Sequence, residues 1–519
     1  MQSRSPFYFL FLAALAGLGI GSGCVRKQFF QPDARPDAVL TQPLPAAADS
    51  VRDVTAGRHY ARHGRLYQAL VGRHYRSSWA VPITVSVLRL PSVRPGGLNP
   101  GKVGGGFNST SLSLSTPDGS AYVLRTVDKD PIRATPQLLR GTFLVNTLRD
   151  NISATQPYGP LVVQPLAQAV GVPRAAPRLF YVRPDDPAFQ ADSLRLFRGQ
   201  LAYLEERFAV APSASRIGAS KVVGSKPAFA AVVASPEQQL DQRALLRARL
   251  LDAWLGDWDR HPGQWNWTVR PQPESGARIS PLPKDRDMVF YRIDDGVLGW
   301  LVGHLAIPHW TTFRAEYPRL SHLMSNGHYL DTRGLNQLSR SEYRAEALAM
   351  QQLLPDALIS TAVHRIPPPA FALEGPGIIA ALQTRRDNLP GFADVFYQHL
   401  ARRPMVAGTA QPERFVVHRY PDSTVVAVYP AQGPATRQTA FFHRTFFSTE
   451  TQQIQLEGLG GNDVFTIEQH GRSTVSRPAL RIYGGPDADE LQGSHYGRGV
   501  RFSQGNARAK HAFDKPPTE

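Results

Sequence analysis

Gly256-Asp257-Trp258-Asp259-Arg260-His261-Pro262-Gly263-Gln264-Trp265 stands at the end of a long amphipathic segment. Upstream, Ser235-Pro236-Glu237-Gln238 has the composition of a helix start, with a hydroxyl at the cap, proline at the first helical position and an amide three residues after the cap. Leu240, Ala244, Ala248, Leu251 and Leu255 then recur every three or four residues and form one apolar stripe. The spacing predicts a helix from Pro236 to about Leu255 that delivers Asp257, Asp259 and His261 into a loop. Trp265, Trp267 and Val269 alternate with polar residues, Glu274-Ser275-Gly276 offers a turn, and Ile279 and Leu282 restore apolar character. That pattern predicts a hairpin. A second acidic knot, Lys284-Asp285-Arg286-Asp287, follows it.

Helix, Asp-bearing loop, hairpin and second Asp follow the order of parts in a phosphoryl-transfer centre. In such a centre one Asp accepts the proton of the attacking hydroxyl, while an amide side chain and a later Asp hold the metal on the phosphates. The alternative is a helix end with ordinary surface salt bridges, although unpaired carboxylates beside tryptophans are costly without a balancing cation. Asp259-Arg260-His261, with Gln264 five residues after the Asp, resembles the Asp-Arg-His-x-x-Asn loop of atypical kinases. These include the HipA-like toxin kinases, the CotH-like spore-coat kinases and the lipid kinases. Pro283-Lys284-Asp285-Arg286-Asp287 followed by Phe290 is similar to the Trp-Asp-Tyr-Asp-x-x-Phe metal loop of the CotH-like group. The arrangement also resembles a group of Bacteroidetes surface proteins that carry Gly-Asp-Trp-Asp-Arg-His and are often fused to an outer-membrane barrel. That likeness runs from about Gly104 to Gly485, and no barrel-sized tail follows it here. The resemblance implies Asp259 as catalytic base, Gln264 and Asp285 as metal ligands with Asp287 assisting, and Mg²⁺ or Mn²⁺ with ATP or another nucleotide as cofactors. Asp257 reads as structural, a partner for Arg260 or for the loop backbone, and His261 as a brace of the loop.

The 519 residues leave room for two or three domains. With 43 Gly and 44 Pro, connections are expected to be long and irregular. A net charge of +16 suits nucleic acid, anionic lipid or phosphorylated ligands. The basic residues are scattered and no helix-turn-helix, zinc-finger or RNA-recognition signature is present, so no nucleic-acid partner is expected. Arg4 precedes an apolar run from Phe7 to Ile20 that is too short to span a bilayer and reads as a signal-peptide core. Gly21-Ser22-Gly23-Cys24 resembles a bacterial lipobox with Gly21 where Leu is usual. The likeness implies lipidation at Cys24 and membrane anchoring as an outer-membrane lipoprotein of the cell envelope; an ordinary secretory signal is the alternative. Cys24 is the single cysteine, which excludes internal disulfides and zinc-thiolate clusters.

Residues 29 to about 90 are rich in Pro, Ala and Arg and read as a tether, with Tyr67, Tyr75 and Trp79 as docking points. Residues 92–106 have loop chemistry, and Gly104-Gly105-Gly106 can place backbone N–H groups against phosphates. A plain hairpin turn has the same composition. In kinases a strand soon after such a loop carries the lysine that grips the phosphates. Here Arg125 holds that place at the end of Ala121-Tyr122-Val123-Leu124-Arg125, with Lys129 as the second candidate. Arginine grips phosphate through a planar fork and is not equivalent to lysine. From Pro136 to Ala169 two helical pieces contain a single acid, Asp150, which reads either as the partner of the phosphate-gripping cation or as a solvated helix end. Leu201–Glu206 reads as the strand before a nucleotide-binding hinge.

Beyond Gly296 the pattern is helical to about Leu400, and from Val406 it becomes short apolar strands. Gly460-Gly461-Asn462-Asp463-Val464-Phe465 and Gly484-Gly485-Pro486-Asp487-Ala488-Asp489 resemble the glycine-aspartate turns of calcium-binding β-rolls. Two partial copies read first as tight strand turns, with calcium in the β module as the alternative. The expected fold is α+β. It comprises a lipoprotein signal peptide (1–23), a tether (24–91), a protein-kinase-like two-lobed domain with β-rich N-lobe and α-rich C-lobe (92–400), a small all-β module (401–498) and a disordered tail (499–519). The expected function is phosphoryl transfer from a nucleotide to a hydroxyl-bearing acceptor by an exported lipoprotein. Two competitors are a non-catalytic pseudokinase or scaffold of the cell envelope, and a metal-dependent phosphoester hydrolase. The second lacks the multi-histidine cluster it needs.

Overall fold

The computed structural model describes residues 50–104, 110–133, 135–208, 213–272, 276–301, 303–304, 307, 309–436, 439–471, 476–493 and 499–507. The signal segment, Cys24, Gly105, Gly106 and the tail from 508 lie outside the described residues. The chain is a mixture of helices and several sheets.

The first strands are β1 (Val51–Val54), β2 (Ile83–Val87), β3 (Asn99–Gly104), β4 (Ser111–Ser115), β5 (Ala121–Thr126), β6 (Arg178–Tyr181) and β7 (Leu201–Arg207). They form one sheet in the order β1-β2-β6-β7-β5-β4-β3. Alternation along these strands gives the sheet two unlike faces. Leu112, Leu114, Tyr122, Leu124 and Leu204 are buried on one side against Phe189 and Phe197. Val123, Arg125 and Glu205 are half-buried on the other. Because β1 and β2 belong to this sheet, the chain from Val51 to Val87 is not a tether. Between those strands lie α1 (Arg65–Val71) and α2 (Arg76–Ala80), and Tyr60, Tyr75 and Trp79 are fully buried. Arginine content misled the composition reading there, whereas Tyr75 and Trp79 are buried as the expected docking points.

After β5 come α3 (Phe143–Asp150) and α4 (Gly159–Ala169), and after β7 comes α5 (Ser225–Ala234). A second sheet joins β8 (Lys221–Gly224), β9 (Gln238–Leu240), β10 (Trp265–Gln272) and β11 (Gly276–Pro283) in the order β8-β10-β11-β9. The expected hairpin is β10–β11, paired from Trp265↔Pro283 to Gln272↔Gly276. The central helix, α6, runs Gln242–Leu255 and starts later than the sequence pattern predicts. Gln238–Leu240 instead pairs in parallel with Ala277–Ile279. Ser235 makes only a local turn, its Oγ accepting the Glu237 N–H at 3.3 Å. Asp241 is the cap, with Oδ1 accepting from the Ala244 N–H at 3.1 Å. Gly256 ends the helix at φ 72°, a left-handed conformation that a side chain would strain and where a Cβ would meet the Phe313 ring.

Helices α7 (Arg340–Leu353), α8 (Asp356–Val363), α9 (Pro368–Asp387) and α10 (Leu389–Ala401) pack on α4 and α6 around the largest buried core. Among the described residues no helix is long and apolar enough to cross a membrane.

The remaining strands are β12 (Met405–Ala407), β13 (Glu413–Arg419), β14 (Ser423–Pro430), β15 (Phe442–Phe447), β16 (Gln453–Glu457), β17 (Val464–Gln469), β18 (Ala479–Tyr483), β19 (Glu490–Gln492) and β20 (Val500–Ser503). They stack as rungs. β12, β16, β18 and β20 run parallel in one sheet, β13, β17 and β19 in the other, and the antiparallel pair β14–β15 widens the second sheet beside β13. The turns leading into β13, β17 and β19 each carry a buried acid, namely Glu413, Asp463 and Asp489. The Glu413 N–H donates to Asp463 Oδ1 at 2.8 Å and the Asp463 N–H to Asp489 Oδ1 at 3.0 Å, forming a ladder along the stack. A Cβ at Gly458 would collide with Asp463 Oδ2, so the glycine makes room for the carboxyl. The glycine-aspartate turns seen in the sequence are therefore β-roll turns.

Burial pushes the Asp463 carboxyl up to about 8 and the Glu413 carboxyl up to about 7, against the hydrogen bonds each accepts. The folded chain keeps protons there that the unfolded chain has already released. These groups cost nothing below the unfolded pKa and destabilise increasingly as pH rises towards the folded one. In calcium-free buffer, Asp463→Asn is expected to gain thermal stability relative to the parent as pH rises from about 5 to about 8.5. A stability difference that stays constant over that range in melting experiments would show that Asp463 does not titrate this way.

Candidate active site

Three guanidinium groups and three carboxylates are sealed beneath the loop after α6. Arg249 pairs with Asp331 at 2.7 Å and with Asp252 at 2.9 Å. Arg260 reaches Asp252 at 3.3 Å and Asp257 at 3.7 Å; Arg286 contacts Asp252 and lies 3.7 Å from Asp257. Burial opposes ionisation of Asp252, but Arg286, Arg260 and Arg249 outweigh it and hold its carboxyl below the usual range. At Asp257 burial wins, and the carboxyl rises to about 6 in spite of Arg260 and Arg286. The expectation that Asp257 partners Arg260 is met in this network.

The Arg260 guanidinium also does something no carboxylate contact requires. Its Nη1 donates to the carbonyls of Lys284 at 2.8 Å and Asp285 at 3.1 Å, and its Nη2 to that of Gln264 at 3.2 Å. Its Cζ lies over the Trp265 ring, 4.7 Å from the centroid. One side chain from the first acidic loop thus holds the backbone of the second. Asp285 is left in a left-handed conformation, φ 51°, which Asp tolerates better than most residues.

Above this foundation is a cleft of about 500 Å³. Arg125, Lys129, Asp259, Gln264, Asp285 and Asp287, six residues marked by the sequence, all line it. Arg125 bridges two acids, Asp285 at 2.6 Å and Glu205 at 2.8 Å, and Lys129 contacts Asp287. Burial raises the Asp285 carboxyl, but Arg125, Lys129, Arg260 and Lys284 reverse the sign and keep it ionised. Burial and Arg125 lower the Lys129 pKa, against Asp285 and Asp259. Asp259 is partly open to the cleft, with Asn326 Nδ2 at 3.5 Å and His261 Nε2 at 4.0 Å. His261 Nδ1 accepts the Gly263 N–H at 3.1 Å, a bracing contact.

Two sequence-marked residues, Gly104 and Asp150, fall elsewhere. Gly104 ends β3 opposite Ser111, which lines the cleft, whereas Gly105 and Gly106 are outside the described residues. Asp150 does not pair with Arg125 or Lys129. It is fully buried at the end of α3, gripped by Arg76 through two bonds of 2.6 Å, by His63 at 3.0 Å and by Tyr67 at 3.0 Å. Helix α2 supplies the cation that claims it, so it is neither solvated nor a cofactor contact. Glu205 on β7 is the acid partner of Arg125, a residue the sequence reading passed over. Two adjacent acids ending an apolar strand, Glu205-Glu206, were its one signal. Asn266, Arg174 and Lys284 also line the cleft and were missed. Asn266 sits seven residues after Asp259 on β10, just past the spacing that drew attention to Gln264.

The donors fit a hard divalent cation chemically, since Asp259, Asp285, Asp287 and Gln264 all offer oxygen. Two of these carboxylates are now paired with Arg125 and Lys129, so a cation there must displace those partners.

The sequence matches no protein-family model and no curated protein. Among solved structures the chain is similar to CtkA, a proinflammatory kinase of Helicobacter pylori. The identity is 12%, the match covers 58% of this chain and 95% of that one, and the TM-score is 0.32. A superposition that loose assigns neither activity nor residue roles.

Arg260→Ala would strand Asp252 and Asp257 with fewer cations and cut the ties to Lys284, Asp285 and Gln264. Removing one partner of a buried ion network costs about 3–5 kcal/mol. Urea unfolding is expected to show a loss of that size, and a loss below about 1 kcal/mol would place the network on the level of surface pairs.

Proposed function

We propose that this chain is an exported, kinase-like phosphotransferase. It would have a β-rich lobe and an α-rich lobe on either side of the cleft and a small all-β module behind them. The observation that carries the reading is the meeting of Arg125, on β5, and Lys129, just past it, with Asp259, Gln264, Asp285 and Asp287, from the loops around β10–β11, in one cleft. The parts follow the order of a protein kinase: a glycine-rich stretch of sequence between two antiparallel strands, a phosphate-gripping cation on the next strand, a catalytic-loop Asp with an amide, then a metal-binding Asp.

In this reading Asp259 takes the proton of the acceptor hydroxyl as its oxygen bonds to the terminal phosphorus. The bond to the bridging oxygen breaks, and the nucleoside diphosphate leaves with that electron pair. Arg125 and Lys129 hold phosphate oxygens. Asp285 and Gln264, with Asp287, hold Mg²⁺ or Mn²⁺, which supplies charge neutralisation at the phosphates. Binding is an exchange of partners, with the two cations passing from carboxylate to phosphate. A non-catalytic pseudokinase is the second reading, and the closed pairs Arg125–Asp285 and Lys129–Asp287 are what favour it. Membrane attachment through lipidated Cys24 at the cell envelope completes the proposal.

The full chain with Mn²⁺ and ATP is expected to melt at a higher temperature than with either alone, and Asp285→Ala to abolish the shift. Transfer of labelled terminal phosphate to acceptors in an envelope extract is expected to fall by about 10²–10⁴-fold in Asp259→Asn, with the thermal shift retained. A shift without transfer in the parent would favour the pseudokinase, and no shift at all would remove the nucleotide from the proposal. Labelled fatty acid is expected to enter the expressed precursor and to be lost in Cys24→Ser. Incorporation that survives the substitution would rule out that anchor.

A further inference from the structure

On the outer face of the β module, far in sequence from the cleft residues, lies a cluster of different chemistry. Strands β13 and β17 run parallel, with His418 directly opposite Glu468. Alternation buries Phe415, Val417 and Ile467 and turns His418 and Glu468 outward. Just past β17, the His470 N–H bonds the Arg419 carbonyl at 2.9 Å, which sets the His470 imidazole beside that of His418. The Tyr420 ring stacks on His470, with centroids 4.8 Å apart and planes 17° apart. Among the described residues this is the one group of three His, Cys, Asp or Glu side chains whose ligand atoms all lie within 4.8 Å of one another.

The three atoms form a compact triangle. His418 Nδ1 is 3.1 Å from His470 Nε2 and 3.1 Å from Glu468 Oε2, and His470 Nε2 is 3.6 Å from the same oxygen. Bonds of about 2.0–2.1 Å to a tetrahedral zinc ion require ligand atoms about 3.3–3.4 Å apart. The observed edges bracket that value, so one ion can touch all three atoms with little movement and keep a fourth position open to solvent. Two imidazole nitrogens facing each other also need something between them, because both are acceptors unless one carries a proton. Only a proton or a cation answers that need, and Glu468 supplies a negative charge to either. The neighbouring Arg477 does not take the carboxylate's place as partner to the rings, since its guanidinium is bonded to the carbonyls of Tyr420, His470 and Gly471. Nitrogen donors exclude a hard ion such as Mg²⁺ or Ca²⁺ and favour the zinc class.

The geometry points to a zinc-class divalent transition-metal site formed by His418 Nδ1, Glu468 Oε2 and His470 Nε2. It is distinct from the proposed phosphate cleft and independent of that reading. The site ties two rungs of the β-roll together across its outer face and leaves one coordination position for water or for a ligand atom of another molecule.

The test is a titration of the chelator-stripped full chain with Zn²⁺, followed by Co²⁺ as a spectroscopic substitute. One strong equivalent is expected, with visible cobalt bands of four-coordinate geometry. The chain carries 15 His, so the comparison with variants decides the assignment. In His418→Ala/His470→Ala the strong equivalent is expected to weaken by about 100-fold or more, since losing outer partners alone costs 10–100-fold. Equal binding by the double variant, no saturable equivalent in the parent, or an octahedral cobalt spectrum would each overturn the site. Should the double variant fail to fold, Glu468→Gln at this 51% exposed position serves instead, with at least tenfold weakening expected and unchanged affinity counting against the proposal.

Discussion

The Arg260 guanidinium, bonded to three carbonyls and set over the Trp265 ring, is the constraint on which the rest of the cleft depends. A fully desolvated arginine is tolerable only where its charge is balanced and its donors are used. Asp252 and Asp257 provide the balance, and the backbone of the second acidic loop takes the donors. Arginine meets both demands because its planar fork presents several donors at fixed angles, which a lysine ammonium does not. The consequence is positional. Asp259 precedes Arg260 in the first loop, Asp285 belongs to the loop that Arg260 holds, and both line the same cleft.

A second brace comes from the N-terminal part of the chain. The Tyr75 hydroxyl donates to the Phe290 carbonyl at 2.6 Å, and the Phe290 N–H donates to the Leu255 carbonyl at 3.1 Å. Phe290, like Asp285, has positive φ, 58°. A left-handed conformation costs roughly 1–2 kcal/mol per non-glycine residue, so the turn between them persists because both of its ends are tied. Tyr60 adds a bond of 2.7 Å to Asp128, the residue before Lys129. Residues 58–80 therefore fix both the loop bearing Asp285 and Asp287 and the segment after β5 that carries Lys129. That dependence explains why Asp150 is occupied elsewhere, since it anchors Arg76 of the same segment.

The features legible in the sequence were local. The apolar stripe ending at Leu255, the β10–β11 hairpin and the acidic residues flanking it all declare themselves through spacing within a few residues. Features that depend on distant partners were hidden. Gln238–Leu240 looked like a first helical turn because Ser235-Pro236 caps well, and its parallel pairing with Ala277–Ile279 leaves no trace in the local pattern. The β-roll was half visible. Its two glycine-aspartate turns stand 26 residues apart, whereas the equivalent turn at Glu413 lies 50 residues earlier because the β14–β15 hairpin is inserted between rungs. The tether reading of residues 51–87 failed for a similar reason, since strand pairing with β6 is a long-range fact.

The arginine at position 125, which from sequence looked like a departure from the lysine expected of a kinase strand, has a physical account in Glu205. Here the acid stands on the neighbouring strand, with Val123 opposite Glu205 and Arg125 opposite Tyr203. From Arg125 the two acids lie in different directions, Glu205 along the sheet face and Asp285 across the cleft. Its two terminal nitrogens take one each, at 2.8 and 2.6 Å. A lysine at the same place has one nitrogen, a point charge that would satisfy one acid and leave the other unpaired in a half-buried cleft. Arg125, Glu205 and Asp285 are therefore coupled, the two acids balancing one guanidinium and the guanidinium serving both.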